Sequence, residues 1–434
     1  MCDSLIASSK TTKHKVSIFA KNSDRPPNEA QTLDWVPEMN YKGGESLRCT
    51  YIEIPQAQHT NAMLLSRPFW MWGAEMGINQ YGLVIGNEAV FSKVTANKEP
   101  ALLGMDLLRL GLERAQTATQ AVDIIVELLE EYGQGGNCVQ DGHLYYHNSF
   151  LIADPVESWV LETVDRHWFA RQVNPVYSIS NLLSLEDRWD RSSNGLEDFM
   201  LERGLIQDKD HINLSADFSD LIYTTFADGK SRCSRSLDLM FQETGKITMQ
   251  TMAGILRDHG GHVDPTPGLA GADICMHASL GPIRESQTTG SMIASLEKRN
   301  PLVFSTGTAA PCTGIFKPVW VDAQLDLGAE PSAKSDLESV YWVHEALHRE
   351  VIKNYPARIE VFSDERDLLE EEFFQGALAL IDAPVAKRKQ YSETCFRRAA
   401  QESMKWLEEV RKVPEKGKFL HRMAWNGFNK KAGL

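Results

Sequence analysis

Short runs in which apolar and polar residues alternate fill the first hundred positions of the chain. Alternation puts successive side chains on opposite faces of a strand, so DSLIAS and KVSIFAKN predict two strands and the polar SKTTKH between them a hairpin turn. CTYIEI and NAMLLS read the same way, and MGINQYGLVIGNEAV predicts a second hairpin turning near Asn79 to Gly82. From Leu102 to Tyr132 the period lengthens to that of a helix, through Leu103, Leu107, Leu108, Leu110 and Leu112, then Ala121, Ile124, Val126 and Leu129. Thr117–Ala118–Thr119 breaks this stretch into two helices and GQGGN stops it. Strands resume in SFLIADP, ESWVLETV, HWFARQV and VYSISN, and residues 184–260 mix polar loops with helices, clearest in SRSLDLMF and ITMQTMAGILRDHG. DICMHASL, GSMIASLE, PLVFSTGT and FKPVWVD predict a third set of strands; Asp336 to Val410 reads as helix, and the basic tail after Pro414 as loose chain.

Groups of strands separated by helices predict a layered α+β fold, not a regular βαβ succession. No repeat, glycine-rich phosphate loop or linker interrupts the chain, so the simplest division is one domain over residues 2–330 with a helical extension over 331–434 packed on it or belonging to the same domain. Composition narrows the function classes. A formal net charge of −14 over 434 residues argues against a nucleic-acid or anionic-membrane surface. The amino terminus lacks a signal peptide's basic start and apolar run, and no segment approaches a membrane span, so no membrane insertion is expected. Seven widely scattered cysteines form neither a disulfide framework nor a zinc ribbon, which fits a reducing, cytoplasmic setting. No cofactor or metal is expected, and nothing in the sequence sets an oligomeric state.

Candidate chemistry begins at Cys2. Removal of Met1 would leave an α-amine, with an ordinary pKa near 8, beside a thiol near 8.5, so nucleophile and base would sit on one residue. The predicted hairpin returns Lys21–Asn22–Ser23–Asp24–Arg25 alongside the first residues, placing a carboxylate and two cations near that terminus. The same residues also suit an ordinary turn. RPFWMWGAEMG sets Trp70 and Trp72 near Glu75; aromatic walls beside a carboxylate suit a peptide's free amine, and plain core packing suits them equally.

MCDSLIA, FAKNSDRPPNEAQ, SRPFWMWGAEMGINQYGLVIGNEAV, EPALLGMDLLRLGLERAQTA, YGQGGNC and YYHNSFLIADPVESWVLETV occur here in order. Together they resemble the secernin branch of the cysteine dipeptidase family, most densely over residues 2–182. The resemblance implies an N-terminal nucleophile hydrolase, with a four-layer αββα sandwich and a small peptide or amide as substrate. It also implies Cys2 as nucleophile, Lys21 and Asp24 lining it, Asn87 at the oxyanion and Asn181 as a second polar residue of the cleft. Related bile-salt and penicillin-hydrolysing amidases often carry arginine where this chain has Lys21. Arg232, in DGKSRCSR, matches a further arginine of related amidases. Glu75 and Trp72 stand as candidate substrate contacts. The secernin likeness also implies an alternative, a protein of regulated exocytosis with weak or absent hydrolysis.

One motif points elsewhere. His344–Glu345–Ala346–Leu347–His348 spells H-E-x-x-H, the pattern of two zinc ligands and a glutamate base on one helix. It sits in a charged helical run with no third ligand evident. His143/His147 and His259/His262 read as turn or surface histidines.

Overall fold

The computed structural model describes residues 1–220, 228–265, 272–280 and 284–434. Strands β1 (Cys2–Ala7) and β2 (Ser17–Arg25) form the expected hairpin, and β3 (Gln31–Val36) follows. Where CTYIEI predicts one strand, two small ribbons form instead: β4 (Met39–Asn40) with β7 (His59–Thr60), and β5 (Ser46–Arg48) with β6 (Glu53–Pro55). Next come β8 (Met63–Pro68), β9 (Met76–Asn79) and β10 (Val84–Val90), then helices α1 (Gly104–Arg114) and α2 (Ala118–Tyr132). Thr117 caps α2 by accepting from the Gln120 N–H, and Gly133 ends it at φ 73°. Strands β11 (His147–Ala153), β12 (Ser158–Val164), β13 (His167–Gln172), β14 (Val176–Ile179) and β15 (Arg191–Ser192) complete the first half.

The second half opens with α3 (Leu196–Glu202), α4 (Leu214–Phe218), α5 (Gly229–Gln242) and α6 (Met249–Leu256). It continues with β16 (Gln287–Leu296), β17 (Val303–Ser305) and β18 (Lys317–Val319). The chain closes with α7 (Val340–Val351), α8 (Tyr355–Ile359), α9 (Ser363–Leu378), α10 (Val385–Val410) and α11 (Phe419–Ala432). No helix among the described residues is long and apolar enough to cross a membrane.

Two antiparallel sheets run in the orders β14-β1-β2-β16-β17-β18 and β15-β13-β12-β11-β10-β9-β8-β3. Alternation along the strands decides what lies between them. Ile6 and Phe19 on one sheet meet Met76, Ile78, Val84 and Leu151 on the other, making the central core. The opposite faces are covered by helices. Leu5, Ile18 and Ile293 pack with Met252 of α6, Leu347 of α7, Phe374 of α9 and Trp406 of α10; Ile85, Phe150 and Leu161 pack with Leu107 of α1 and Ile125 of α2. The layers are therefore αββα, and the C-terminal helices share one core with the first sheet instead of forming a separate body.

Two further expectations fail. DICMHASL forms no strand: Thr288 exchanges two hydrogen bonds with Met276, and Ile274 O accepts from Asn22, so the segment's polar groups are satisfied without a ladder. The tail is not loose, because α11 buries Trp425, whose indole N–H donates to Ala278 O at 3.0 Å.

Candidate active site

In the first hairpin Cys2 lies opposite Ser23, and Ser4 opposite Lys21. Paired residues point the same way, so Cys2, Ser4, Lys21 and Ser23 face the second sheet, while Asp3, Asn22 and Asp24 face the helical layer of α5 and α6. All seven side chains are buried. Such a density of polar groups inside a core is sustainable only if they are paired. Lys21 Nζ donates to Glu88 Oε1 at 2.9 Å and to Asn87 O at 2.8 Å, and Ser4 Oγ donates to the same Glu88 oxygen at 2.7 Å. On the other face Arg232 pairs with Asp3 and also donates to Cys2 O at 3.0 Å. The sheets approach closely here because Gly86 precedes Asn87; a Cβ at Gly86 would lie 2.4 Å from Ser4 Oγ and 2.7 Å from Lys21 Cδ.

Cys2 is held by both ends of its reactive unit. Its backbone nitrogen donates to Asn181 Oδ1 at 2.6 Å, and Arg232 donates to that same oxygen at 2.9 Å. Two donors on one atom fix the Asn181 amide orientation, and its Nδ2 donates to Ala89 O at 2.9 Å. The Cys2 sulfur receives the Asp24 backbone N–H at 3.4 Å and lies 3.8 Å from Glu75 Oε2. Arg25 Nη1 lies 3.3 Å from the other Glu75 oxygen, and its Nε donates to Glu29 at 2.7 Å. Met1 still precedes Cys2, its ammonium donating to Asp24 O at 3.1 Å.

Burial dominates the electrostatics. It pushes the Cys2 thiol up to about 11, against the pull of Lys21 and the chain's ammonium and with the push of Glu75 and Asp24. Burial alone would lower Lys21, but Cys2, Glu88 and Glu75 outweigh it and hold the ammonium above its ordinary value. Burial lifts Asp24 to about 7, opposed by the ammonium at the chain start, while Thr288 donates to Asp24 Oδ1 at 2.7 Å. At neutral pH the buried thiol of the Met1-bearing chain therefore stays protonated, and ionising it requires a base within reach.

Asn87 sits at the end of an ordered amide chain. Gln134 Nε2 donates to Asp165 O at 2.7 Å, Asn148 Nδ2 to Gln134 Oε1 at 2.7 Å, and Asn87 Nδ2 to Asn148 Oδ1 at 2.9 Å. Each bond dictates which way the next amide points, so Asn87 presents its NH2 group as a donor. Gly104 packs directly on Asn148, where a Cβ would fall within 1.9 Å of Oδ1.

Of the residues singled out from sequence, Cys2, Lys21, Asp24, Glu75, Asn87, Asn181 and Arg232 therefore gather in one place. Asn181 meets Cys2 as an acceptor on its nitrogen, and Asp24 offers the sulfur its backbone N–H while its carboxyl turns to Thr288. Trp72 is not part of the group. It packs with the core beneath α1, and the Arg109 guanidinium lies 4.2 Å from its ring. Trp70 instead bonds Glu29, the partner of Arg25. Asp3, Glu88 and Asn148 escaped the sequence reading; only the strand register of Asp3 and the proximity of Glu88 to Asn87 hinted at them.

The H-E-x-x-H helix is α7, in which both histidines turn to one hydroxyl and the glutamate turns elsewhere. His344 Nε2 and His348 Nδ1 lie 3.3 and 3.1 Å from Thr313 Oγ1, whereas Glu345 accepts from Gln287 at 3.0 Å and from Arg349 at 3.2 Å. Burial pushes the His344 ring down to about 3. A glutamate engaged by a guanidinium and an amide is poorly placed as the base of a zinc-bound water. His143 is exposed as expected, but His147 is buried on β11, and His259 lies against His277.

The fold holds a thiol at the start of its first strand, between two sheets, and the family match makes the chain a cysteine-type hydrolase of amide bonds. The chain belongs to peptidase family C69, whose profile matches residues 74–366. The match begins beyond the first hairpin. Among solved structures, a cysteine-to-alanine mutant of conjugated bile acid hydrolase from Clostridium perfringens is similar at 12% identity and a TM-score of 0.45, covering 75% of this chain and 94% of that one. An N-acylethanolamine-hydrolyzing acid amidase ortholog from Caenorhabditis elegans is similar at 10% identity and a TM-score of 0.34, covering 68% of this chain and 92% of that one.

Proposed function

We propose that this protein is an N-terminal nucleophile hydrolase of the secernin branch that cleaves a dipeptide or similarly small amide, with Cys2 as nucleophile once Met1 has been removed. The observation that carries the reading is the hold on Cys2: its nitrogen bonded to Asn181 at 2.6 Å and its sulfur set between the Asp24 N–H and Glu75. Two bases compete for the thiol proton. The Glu75 carboxylate is close but engaged by Arg25, whereas an α-amine, with an ordinary pKa of about 8, is well matched to a thiol.

The neutral Cys2 amine therefore accepts the Sγ proton, and the sulfur bonds to the substrate carbonyl carbon. The carbonyl oxygen becomes an oxyanion, to which Asn87 Nδ2 donates. As the tetrahedral species collapses, the C–N bond breaks and the new ammonium returns its proton to the leaving amine. Water, deprotonated by the same amine, then attacks the thioester and releases the acid and the thiol. Lys21 stabilises negative charge on the sulfur, and Glu75 is the charge partner for a substrate's free amino group. The test is hydrolysis of a dipeptide panel by the processed protein and by Cys2→Ala. Activity that vanishes in the variant supports the assignment, and activity retained there overturns it.

A further inference from the structure

A second set of thiols lies away from Cys2. His259 follows α6, Cys275 and His277 lie in the irregular segment that replaced a strand, and Cys312 sits in the turn between β17 and β18. Their ligand atoms all fall within 4.8 Å of one another. His277 Nε2 lies 3.2 Å from His259 Nε2, 3.5 Å from Cys275 Sγ and 3.3 Å from Cys312 Sγ. A single ring nitrogen carries either one N–H or one lone pair, so hydrogen bonding satisfies only one of these three contacts.

A cation at the centre satisfies all of them. Zinc bonds nitrogen at about 2.0–2.1 Å and thiolate at about 2.3 Å, so a tetrahedron with two of each has N–N edges of about 3.3 Å and N–S edges of about 3.6 Å. The three distances match those edges. Two thiolates and two neutral imidazoles also balance a divalent charge, which suits a site where Cys275, His277 and Cys312 are at most 3% exposed.

We propose that His259, Cys275, His277 and Cys312 form a Cys2His2 site for one zinc ion. With four protein ligands and no open position its role is structural. It joins three separated segments and braces the nucleophile's surroundings. Cys275 adjoins Met276, whose N–H donates to Thr288 Oγ1 at 3.0 Å, and that hydroxyl donates to Asp24 at 2.7 Å. Ala278, just beyond His277, anchors Trp425 of α11. The widely spaced cysteines excluded a zinc ribbon at the level of sequence; folding brings the ligands together across that spacing.

The test is metal analysis of the full-length protein purified under reducing conditions without chelator, on wild type, Cys2→Ala and the double variant Cys275→Ser with Cys312→Ser. Expected are a single zinc per chain in the first two and its loss in the third. Because the double variant could fail to fold, cobalt replacement in the wild type is the second readout, with intense thiolate-to-cobalt charge-transfer bands and tetrahedral d–d absorption. A folded wild type that takes up neither metal overturns the site. So do undiminished zinc in the double variant and a Cys275–Cys312 disulfide in lysate alkylated at harvest without reductant.

Discussion

Two groups of thiols lie in this molecule, and their surroundings differ in kind. Around Cys2 a single sulfur meets a backbone N–H, a carboxylate and a lysine charge, and its own nitrogen lies at the chain start. Around His277 two sulfurs and a second ring nitrogen converge on one atom. The first arrangement leaves a protonated thiol whose reactivity depends on a base; the second crowds two sulfurs and a ring nitrogen onto one nitrogen that hydrogen bonding alone does not satisfy. Cysteine burial alone distinguishes neither, since Cys2, Cys275 and Cys312 are all at most 5% exposed. The partners decide the chemistry.

The comparison breaks most sharply at the sulfurs themselves. Cys2→Ala is expected to lower kcat by at least about a thousandfold while leaving bound metal unchanged. The Cys275→Ser with Cys312→Ser variant is expected to lose metal and thermal stability, yet any folded fraction keeps a thiol at Cys2 that reacts with an acylating probe. Steady-state kinetics and elemental analysis on the same preparations check both. If either variant shows the other's phenotype, the two groups are not independent.

The next effect is on stability. Lys21→Met strands Glu88 as an unpaired buried charge, and urea denaturation should report a loss of about 3–5 kcal/mol. A loss below about 1 kcal/mol would show that the pair is far better solvated than its burial implies. Smaller again are the positioning effects. Asn87→Ala is expected to lower kcat by about 10²–10³-fold, as for one oxyanion donor. Gly104→Ala pushes on Asn148 and should lower kcat with little change in KM, an effect that rotation of the Asn87 amide explains and global destabilisation does not.

A further prediction concerns pH. Asp24 is raised by burial to about 7, so in the Met1-bearing chain the folded state binds a proton that the unfolded chain has released above its ordinary value near 4. The stabilisation is complete below pH 4 and is lost as pH rises through about 7. Asp24→Asn should flatten that slope in denaturation curves between those values. Glu162, also raised by burial to about 7, keeps part of the slope, so only Asp24's share disappears.

The part of the site formed by Cys2, Lys21 and Asp24 was legible in the sequence because it is built locally, whereas Asn87, Asn181 and Arg232 were reached through the family resemblance alone. The Cys2 hairpin joins two strands that are adjacent in sequence across the polar segment 8–16, and its register brings Ser23 opposite Cys2. Alternation likewise exposed most strands of both sheets. Three features could not be read in this way. Trp72 is two residues from Trp70, yet they part company because the chain turns between β8 and β9, and no periodicity reports the direction of a turn. The tail lacks a strong apolar stripe of its own, and its helix is held by individual contacts such as Trp425 with Ala278. DICMHASL alternates like a strand, but its backbone bonds go to scattered groups, the N–H and hydroxyl of Thr288, the Asn22 amide and Asp258 O, placed by tertiary structure. The histidine and cysteine group shares that difficulty, since its members are neighbours only after the helical layer has docked on the first sheet.

The central claim is that Cys2 acts with its own α-amine. It is tested most directly by intact-mass analysis of native protein before and after a thiol-directed acylating probe, with the adduct located by peptide mapping. The account predicts a chain lacking Met1 that gains one adduct, on Cys2. Active protein that retains Met1, or an adduct on another cysteine with Cys2 unmodified, would contradict it.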